Sequence, residues 1–281
     1  MKVVAAIDDM KAARAAFDTA SVGLVPTMGA LHAGHAALIA SARAQCRRVV
    51  VSIFVNPLQF GPDDDFARYP RTPQSDAELL DRLGVDVLFA PAAEHMYPSP
   101  MQVVIDPGLV GRYLEGERRA GHFSGVAAAV LKLFHVVEPR RAYFGCKDAQ
   151  QLAVIRRLVS DLNVPVEIVA VPTVRDRDGL AFSSRNAFLT ERERAAAIRL
   201  PGALRALADG ALAQPRAVAS AVDRAQRLLA PLRGDYLAVV DPAEFRPLEQ
   251  APSGRQLLAV GAAFAGRIRL IDNLEFEVPQ G

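Results

Sequence analysis

Pro26-Thr27-Met28-Gly29-Ala30-Leu31-His32-Ala33-Gly34-His35 stands between an apolar run, Val22–Val25, and a helical pattern, Ala36–Gln45. The apolar run reads as a buried strand. A glycine-containing turn then carries two histidines, three residues apart, onto the start of a helix. Helix N-termini present unpaired backbone N–H groups and the positive end of the helix dipole, so a phosphate would dock there. Imidazoles in the same place can donate to phosphate oxygens or stabilise charge on a leaving pyrophosphate. Two surface histidines beside a helix cap are the plainer alternative. The His-x-Gly-His spacing at a strand–helix junction favours nucleotide chemistry.

The same alternation continues outward from this stretch. Val49–Val55 predicts a buried parallel strand, Ser75–Leu83 a helix ended by Gly84, and Val85–Phe89 another strand. Ser124 can cap a helix running to Val137, which Glu138-Pro139 ends. Arg141–Phe144 predicts a strand, Ala149–Leu162 a helix and Val164–Val171 a strand. The pattern implies an α/β fold with a Rossmann-like, doubly wound parallel sheet and ligands at the carboxyl ends of its strands. Composition changes after Asn186. Glu191–Leu229 reads as two helices split near Gln214-Pro215, and Asp235–Val240, Arg255–Val260 and Arg267–Ile271 read as strands. The expected division is residues 1–173, a nucleotide-binding Rossmann-like domain, and residues 174–281, a smaller C-terminal α+β lid domain.

Composition narrows the function classes. The 281 residues suffice for one large or two smaller domains. Lys and Arg number 33 against 31 Asp and Glu, a net charge of +2 that gives no reason to expect nucleic acid or a membrane surface as partner. No apolar run approaches the ~20 residues needed to span a bilayer. Acids interrupt Met1–Asp9 too early for a signal peptide, and Cys46 and Cys146 alone imply no disulfide framework. The expectation is a cytoplasmic protein. Zinc-ligand spacings do not occur.

Further candidate residues fall at predicted strand ends. Lys147 and Asp148 sit between a strand and a helix, where Lys147 suits a phosphate. Asp148 can cap the helix or accept a ribose hydroxyl. Gln151 lies one helical turn later on the same side. Gln59, in the turn Asn56–Gly61, offers a neutral amide suited to a hydroxy acid, or else bonds its own turn. Ser183, Ser184 and Arg185, after the turn Asp178-Gly179, form a compact set of phosphate donors at the domain boundary. Asp76 and the run Asp63-Asp64-Asp65 are possible outer carboxylates for magnesium. Asp76 suits a first-turn helix acid equally well, and the run suits a solvated loop better. Cys146 beside Lys147 is either a thiol of lowered pKa or a buried, inert one.

Taken together, these segments resemble the pantoate–β-alanine ligase family. The blocks are Pro26–His35, Ser52–Gly61, Tyr69-Pro70-Arg71-Thr72, Phe144–Gln151 and Asp178–Asn186, with weaker similarity to Asp272-Asn273. Departures from the family pattern are Cys146, Ala149, Phe182, Ala120 and Ala128. The resemblance implies an H-x-G-H nucleotidyltransferase that activates pantoate with Mg·ATP and passes the pantoyl adenylate to β-alanine. It also implies a homodimer. By the same resemblance Met28, Gly29, Ala30, Leu31, His32, Ala33, Gly34 and His35 would hold ATP, with His32 and His35 on its phosphates and Lys147 beside them as the third catalytic group. His35 takes the position the family assigns to a proton donor; stabilising the adenylation transition state is the physically simpler role for both imidazoles. Gly145, Cys146, Lys147 and Asp148 would contact ATP, Val174 the adenine, and Phe182, Ser183, Ser184 and Arg185 would close over the nucleotide. Gln59 and Gln151 would hold pantoate, and Asp76 would lie near Mg2+. Another nucleotidyltransferase on the same scaffold and a non-catalytic nucleotide binder are the competing readings.

Overall fold

The computed structural model describes residues 1–17, 21–62, 64 and 66–280. The chain runs β1 (Lys2–Val4), α1 (Ile7–Ala15), β2 (Val22–Thr27), α2 (Ala33–Gln45), β3 (Arg48–Ile53), α3 (Pro73–Arg82) and β4 (Val87–Phe89). Two single-turn helices follow, α4 (Ala93–Met96) and α5 (Glu115–Arg118), then α6 (His122–Val137), β5 (Arg141–Gly145), α7 (Ala149–Asp161) and β6 (Glu167–Val171). These six strands form one parallel sheet in the order β1-β4-β3-β2-β5-β6.

Strand alternation explains the two-sided core. Successive side chains of a strand point to opposite faces. Val22 and Leu24 of β2, Val50 of β3, and Ala142 and Phe144 of β5 meet α1, α6 and α7 on one face. Val25, Val49, Val51 and Tyr143 meet α2 and α3 on the other. With both faces covered, the strands read as continuous apolar runs. The strand order reverses between β2 and β5. At such a switch point the neighbouring loops diverge and leave a crevice above the carboxyl ends of the strands. The β2–α2 loop and the β5–α7 turn flank that crevice.

The C-terminal part holds α8 (Glu191–Ala197), α9 (Arg199–Ala213) and α10 (Val218–Leu228) against an antiparallel sheet, β7 (Arg233–Val240), β8 (Gln256–Ala265) and β9 (Ile268–Glu277). One face of this sheet packs on its own helices through Val239, Leu257 and Ala259. The other, through Ala238, Val240, Leu258 and Val260, packs on Phe123, Ala153 and Val154 of α6 and α7. An apolar seam thus joins the two parts.

Several boundaries differ from the sequence expectation. Three helices occupy the stretch read as two, because Pro201 has no N–H to offer the carbonyl of Ala197, and the chain restarts at Arg199. The strands β8 and β9 extend beyond Val260 and Ile271, β8 through a run of Gly and Ala that has poor intrinsic strand propensity. Close packing selects those residues: a Cβ on Gly261 would sit 2.5 Å from Leu237. Ser124 caps nothing, since α6 starts at His122 after Gly121, which holds φ +77°. The N-terminal β1 and α1 add an edge strand and a helix that the sequence reading did not assign. Among the described residues, no helix is long and apolar enough to cross a membrane.

Candidate active site

The β2–α2 loop is held from inside by Thr27 and by the start of α3. Gly29 takes φ +83° and Ala30 φ +49°, so the loop turns sharply after Met28. Thr27 Oγ1 accepts the Gly29 N–H at 3.2 Å. Asp76, buried at the first turn of α3, accepts the N–H of Ala30 at 2.9 Å through one oxygen and that of Leu31 at 2.8 Å through the other. The Thr72 hydroxyl adds a third donor to Asp76 at 3.1 Å. Its carboxylate faces the back of the loop, not the cleft. Asp76 is therefore the clamp of the loop. Asp64 pairs instead with Arg119 at 3.1 Å, and Asp63 and Asp65 lie outside the described residues.

The two histidines form a capping box. Gly34 N–H donates to His32 Nδ1 at 3.1 Å, and His32 N–H donates to His35 Nδ1 at 3.3 Å. Two backbone donors expected to meet a phosphate are thus given to imidazole nitrogens. A neutral imidazole whose Nδ1 accepts must carry its proton on Nε2. Burial and the nearby Lys147 ammonium push His32 down to about 4, and burial, His32 and Lys147 push His35 down to about 3. Both rings are therefore neutral at pH 7, with Nε2–H as the remaining donor. Gly34 is required by this packing, since a Cβ there would lie 2.9 Å from the His32 ring.

Gln59 follows β3 in the 3-10 turn Pro57–Gln59 and is held from several sides. Asn56 Nδ2 donates to Gln59 Oε1 at 3.1 Å and to Gly125 O at 2.9 Å. Asn56 Oδ1 accepts from Leu58 N–H and from the Tyr97 hydroxyl. His122 Nδ1 donates to the Gln59 carbonyl at 2.8 Å, and its Nε2 accepts from Arg119 at 3.1 Å. With its own oxygen occupied, Gln59 presents Nε2 toward Met28, 3.0 Å from the sulfur. Gly125 lets the turn approach α6, because a Cβ there would lie 2.1 Å from Leu58 O.

A cleft of about 220 Å3 brings most of the candidates together. Met28, His32, Gly34, His35, Gln59, Gly145, Lys147, Asp148, Gln151, Val174, Phe182, Ser183, Ser184 and Arg185 line it. Gly29, Ala30, Leu31, Ala33, Cys146 and Asp76 do not. Asp148 stands at the N-cap position of α7 without making a capping bond, so its half-exposed carboxylate stays available to the cleft. Lys147 Nζ lies 4.0 Å from it. Cys146 turns back toward the core, and burial pushes its thiol up, which marks it as the inert alternative. Phe182 stacks on His32 with centroids 6.1 Å apart. The cleft adjoins a larger opening of about 610 Å3 that shares Lys147, Asp148, Ser183 and Arg185.

Comparison with known proteins identifies this arrangement. The family described as pantoate-beta-alanine ligase matches residues 2–275. The chain belongs to that family. It is 53% identical over 263 residues to the pantothenate synthetase of Thermobifida fusca, covering 90% of this chain and 88% of that one. It is 50% identical to that of Chloroflexus aggregans, covering 97% and 99%. The crystal structure of pantothenate synthetase from Thermus thermophilus superposes with a TM-score of 0.89 at 46% identity, over 99% of this chain and 100% of that one. The Francisella tularensis pantoate-beta-alanine ligase, complexed with beta-gamma ATP and beta-alanine, superposes at 0.81 with 34% identity, over 98% and 97%.

Sequence reasoning about this ligase family member missed two kinds of residue. Asn56 and Tyr69 stood inside quoted blocks without a role. Asn56 orients Gln59, while the Tyr69 hydroxyl lies 3.3 Å from Ser184 Oγ and its ring lies under the Arg185 guanidinium. The apolar wall of Val126, Ala129, Val130 and Leu133 was read only as part of a helix running to Val137. Its spacing along α6 was visible, but one face of a helix shows in sequence only that something covers it.

Proposed function

We propose that this chain joins pantoate to β-alanine at the expense of ATP, through a pantoyl adenylate, releasing pyrophosphate and AMP. The single observation that carries the reading is the pair of neutral Nε2–H imidazoles facing one cleft with Lys147, Gln59 and Gln151. A carboxylate activated by adenylation must approach a triphosphate, and neutral amides hold it there without added repulsion. Gln59 donates to pantoate from Nε2, Gln151 offers a second amide, and the α6 wall takes the branched, apolar carbon of pantoate. The pantoate carboxylate oxygen attacks the α-phosphorus of ATP, and the bond to the β-phosphate oxygen breaks. Charge grows on the departing pyrophosphate, where His32, His35, Lys147 and the Ser183–Arg185 segment would donate to it. The neutral amine of β-alanine then attacks the acyl carbon. AMP leaves, and the amine proton is lost.

The remaining assignments belong to the same proposal. Asp148 accepts a ribose hydroxyl, and Val174 packs at the adenine. The described residues include no group of three His, Cys, Asp or Glu that could hold a metal ion, and Asp76 is engaged by the loop. Magnesium would therefore enter on the ATP phosphates, whose oxygens are its usual partners. The division into 1–173 and 174–281 follows the end of the six-stranded sheet at Val171, and the second part closes the cleft as a lid through Ser183–Arg185. Exposed Val103, Val104 and Leu109 offer an apolar strip that a homodimer would cover. Two free cysteines suit the cytoplasm.

The test is a steady-state assay with Mg·ATP, pantoate and β-alanine, following AMP, with each substrate omitted in turn. AMP that requires all three substrates, with pantothenate as co-product, is the expected outcome. A dinucleotide product, or ATP binding without turnover, would overturn the reading.

A further inference from the structure

The edge strand of the C-terminal sheet reaches back into the β5–α7 turn. Asn273 Nδ2 donates to the carbonyls of both Cys146 and Lys147, each at 2.9 Å. Both hydrogens of the amide are used, so no acceptor group and no single hydroxyl can replace it. Asn273 lies on β9, paired on one side with β8 and facing this turn on the other. Its neighbour Asp272 is buried and receives a two-pronged ion pair from Arg175, at 2.6 and 2.9 Å. Asp272 Oδ1 also accepts the Asn273 N–H at 2.8 Å. Arg175 closes the chain by donating to the Asn273 carbonyl at 3.1 Å and to the Gly179 carbonyl at 3.1 Å. Arg175 begins the hairpin, bridged to Ala181, that leads directly into Ser183–Arg185.

We infer that Asn273, held by the Arg175–Asp272 pair, is a positioning residue that sets Lys147 against the Ser183–Arg185 segment across the cleft. The inference rests on the ligase reading of the site. Physically, Lys147 is carried on a turn of three residues, Cys146–Asp148, and a turn that short has little stiffness of its own. Two hydrogen bonds from a sheet fix its carbonyls. The same polar chain fixes the hairpin that bears the other phosphate donors. The two groups of donors are therefore referred to one strand. Transition-state stabilisation depends on such spacing, since donors displaced by about 1 Å can lose about 100-fold in rate.

The experiment compares the full chain with Asn273→Asp, Lys147→Ala and the double variant, reading pantoate-dependent pyrophosphate release. Asp keeps the shape but places oxygens against two carbonyls. Asn273→Asp is expected to lower kcat about 10- to 100-fold, with the KM for pantoate changed less than about threefold, as for an interaction felt in the transition state. In the Lys147→Ala background the same change is expected to cost less than about threefold, because coupled residues are not additive. Equal costs in both backgrounds would mark Asn273 as merely structural and overturn the proposal. Amide hydrogen exchange at residues 146–149, expected to quicken in Asn273→Asp, gives a readout independent of turnover; unchanged exchange overturns the proposal as well. If Asn273→Asp does not fold, Arg175→Lys, which keeps the charge and loses the fork, is read in the same way. A wild-type protein without pyrophosphate release would overturn the ligase reading, while exchange at residues 146–149 would still decide the positioning role.

Discussion

His32 and His35 show how a residue type acquires a role from its second nitrogen. Each Nδ1 is occupied by a backbone N–H, and this fixes the tautomer that faces the cleft. Removing His35 deletes one Nε2–H donor and one link of the cap. His35→Ala is expected to lower adenylate formation about 10²–10³-fold, the cost of one preorganised donor. Its melting should show a loss of only about 1 kcal/mol, the scale of a helix cap. Normal turnover in the soluble variant would leave His35 as a cap alone. The same burial makes a pH prediction. His32, His35 and His122 stay neutral in the folded chain to about 4, about 3 and about 4, against 6.5 unperturbed. As pH falls below about 6.5, the unfolded chain binds protons that the folded chain does not, so stability declines toward pH about 4. Ring-proton NMR from pH 8 to 5 should find all three unmoved; an inflection near 6.5 for His32 or His35 would contradict the neutral-donor role.

At the level of the element, the β2–α2 loop is a structure in which backbone donors are consumed internally and side-chain donors are released outward. Gly34 tests the first half of that statement. It lies in the first turn of α2, where alanine would ordinarily favour the helix by about 1 kcal/mol. Here the added Cβ meets the His32 ring at 2.9 Å. Gly34→Ala should therefore lower the melting temperature and weaken ATP use; a more stable, fully active variant would show that the cap is dispensable. Asp76 tests the same half at the other side of the loop. Asp76→Asn keeps one acceptor oxygen where the loop uses two, so the KM for ATP should rise while the magnesium requirement at saturating ATP stays as it was. A raised magnesium requirement with unchanged ATP affinity would make Asp76 a metal ligand after all. The legibility of this element in sequence was partial for a physical reason. Glycines, histidines and their spacing are local and raised the expectation of a phosphate site. That Asp76, more than forty residues away, would take the loop's N–H groups depends on where α3 packs.

Across the whole molecule, the two parts meet at the apolar seam, at the Asn273 contact with the β5–α7 turn and at a polar cluster around Glu115. Arg269 of β9 donates to both oxygens of Glu115 on α5, at 2.8 and 2.6 Å, and also to Asp235 of β7. The Tyr236 hydroxyl adds a further bond to Glu115 at 2.8 Å. Arg269 and the Tyr236 hydroxyl hold the Glu115 carboxyl below its ordinary value against the opposing effect of burial. Glu115→Ala would leave the largely buried guanidinium with Asp235 as its remaining acidic partner, a loss of up to about 3 kcal/mol by analogy with other broken buried pairs. Calorimetry should show one transition at a lower temperature. Separate melting of the two parts in the wild-type chain would mean that the seam does not couple them.

What the sequence determined by itself was the class of the fold and the chemistry of the cleft rim. Short β-branched runs such as Val49–Val55 favoured strands covered on both faces, which placed the glycine-punctuated loops after them at strand ends. Those are short-range consequences of side-chain period and backbone freedom. The tertiary structure alone decided which donors remain free. It set Asp76 on the backbone N–H groups of the loop, the Cys146 side chain against the core, and Asn273 of a distant strand on the carbonyls of Cys146 and Lys147. Each of those outcomes is a hydrogen bond or a burial between segments far apart in the chain. No local pattern carries such a contact, because its geometry exists only after the sheet has set the segments side by side.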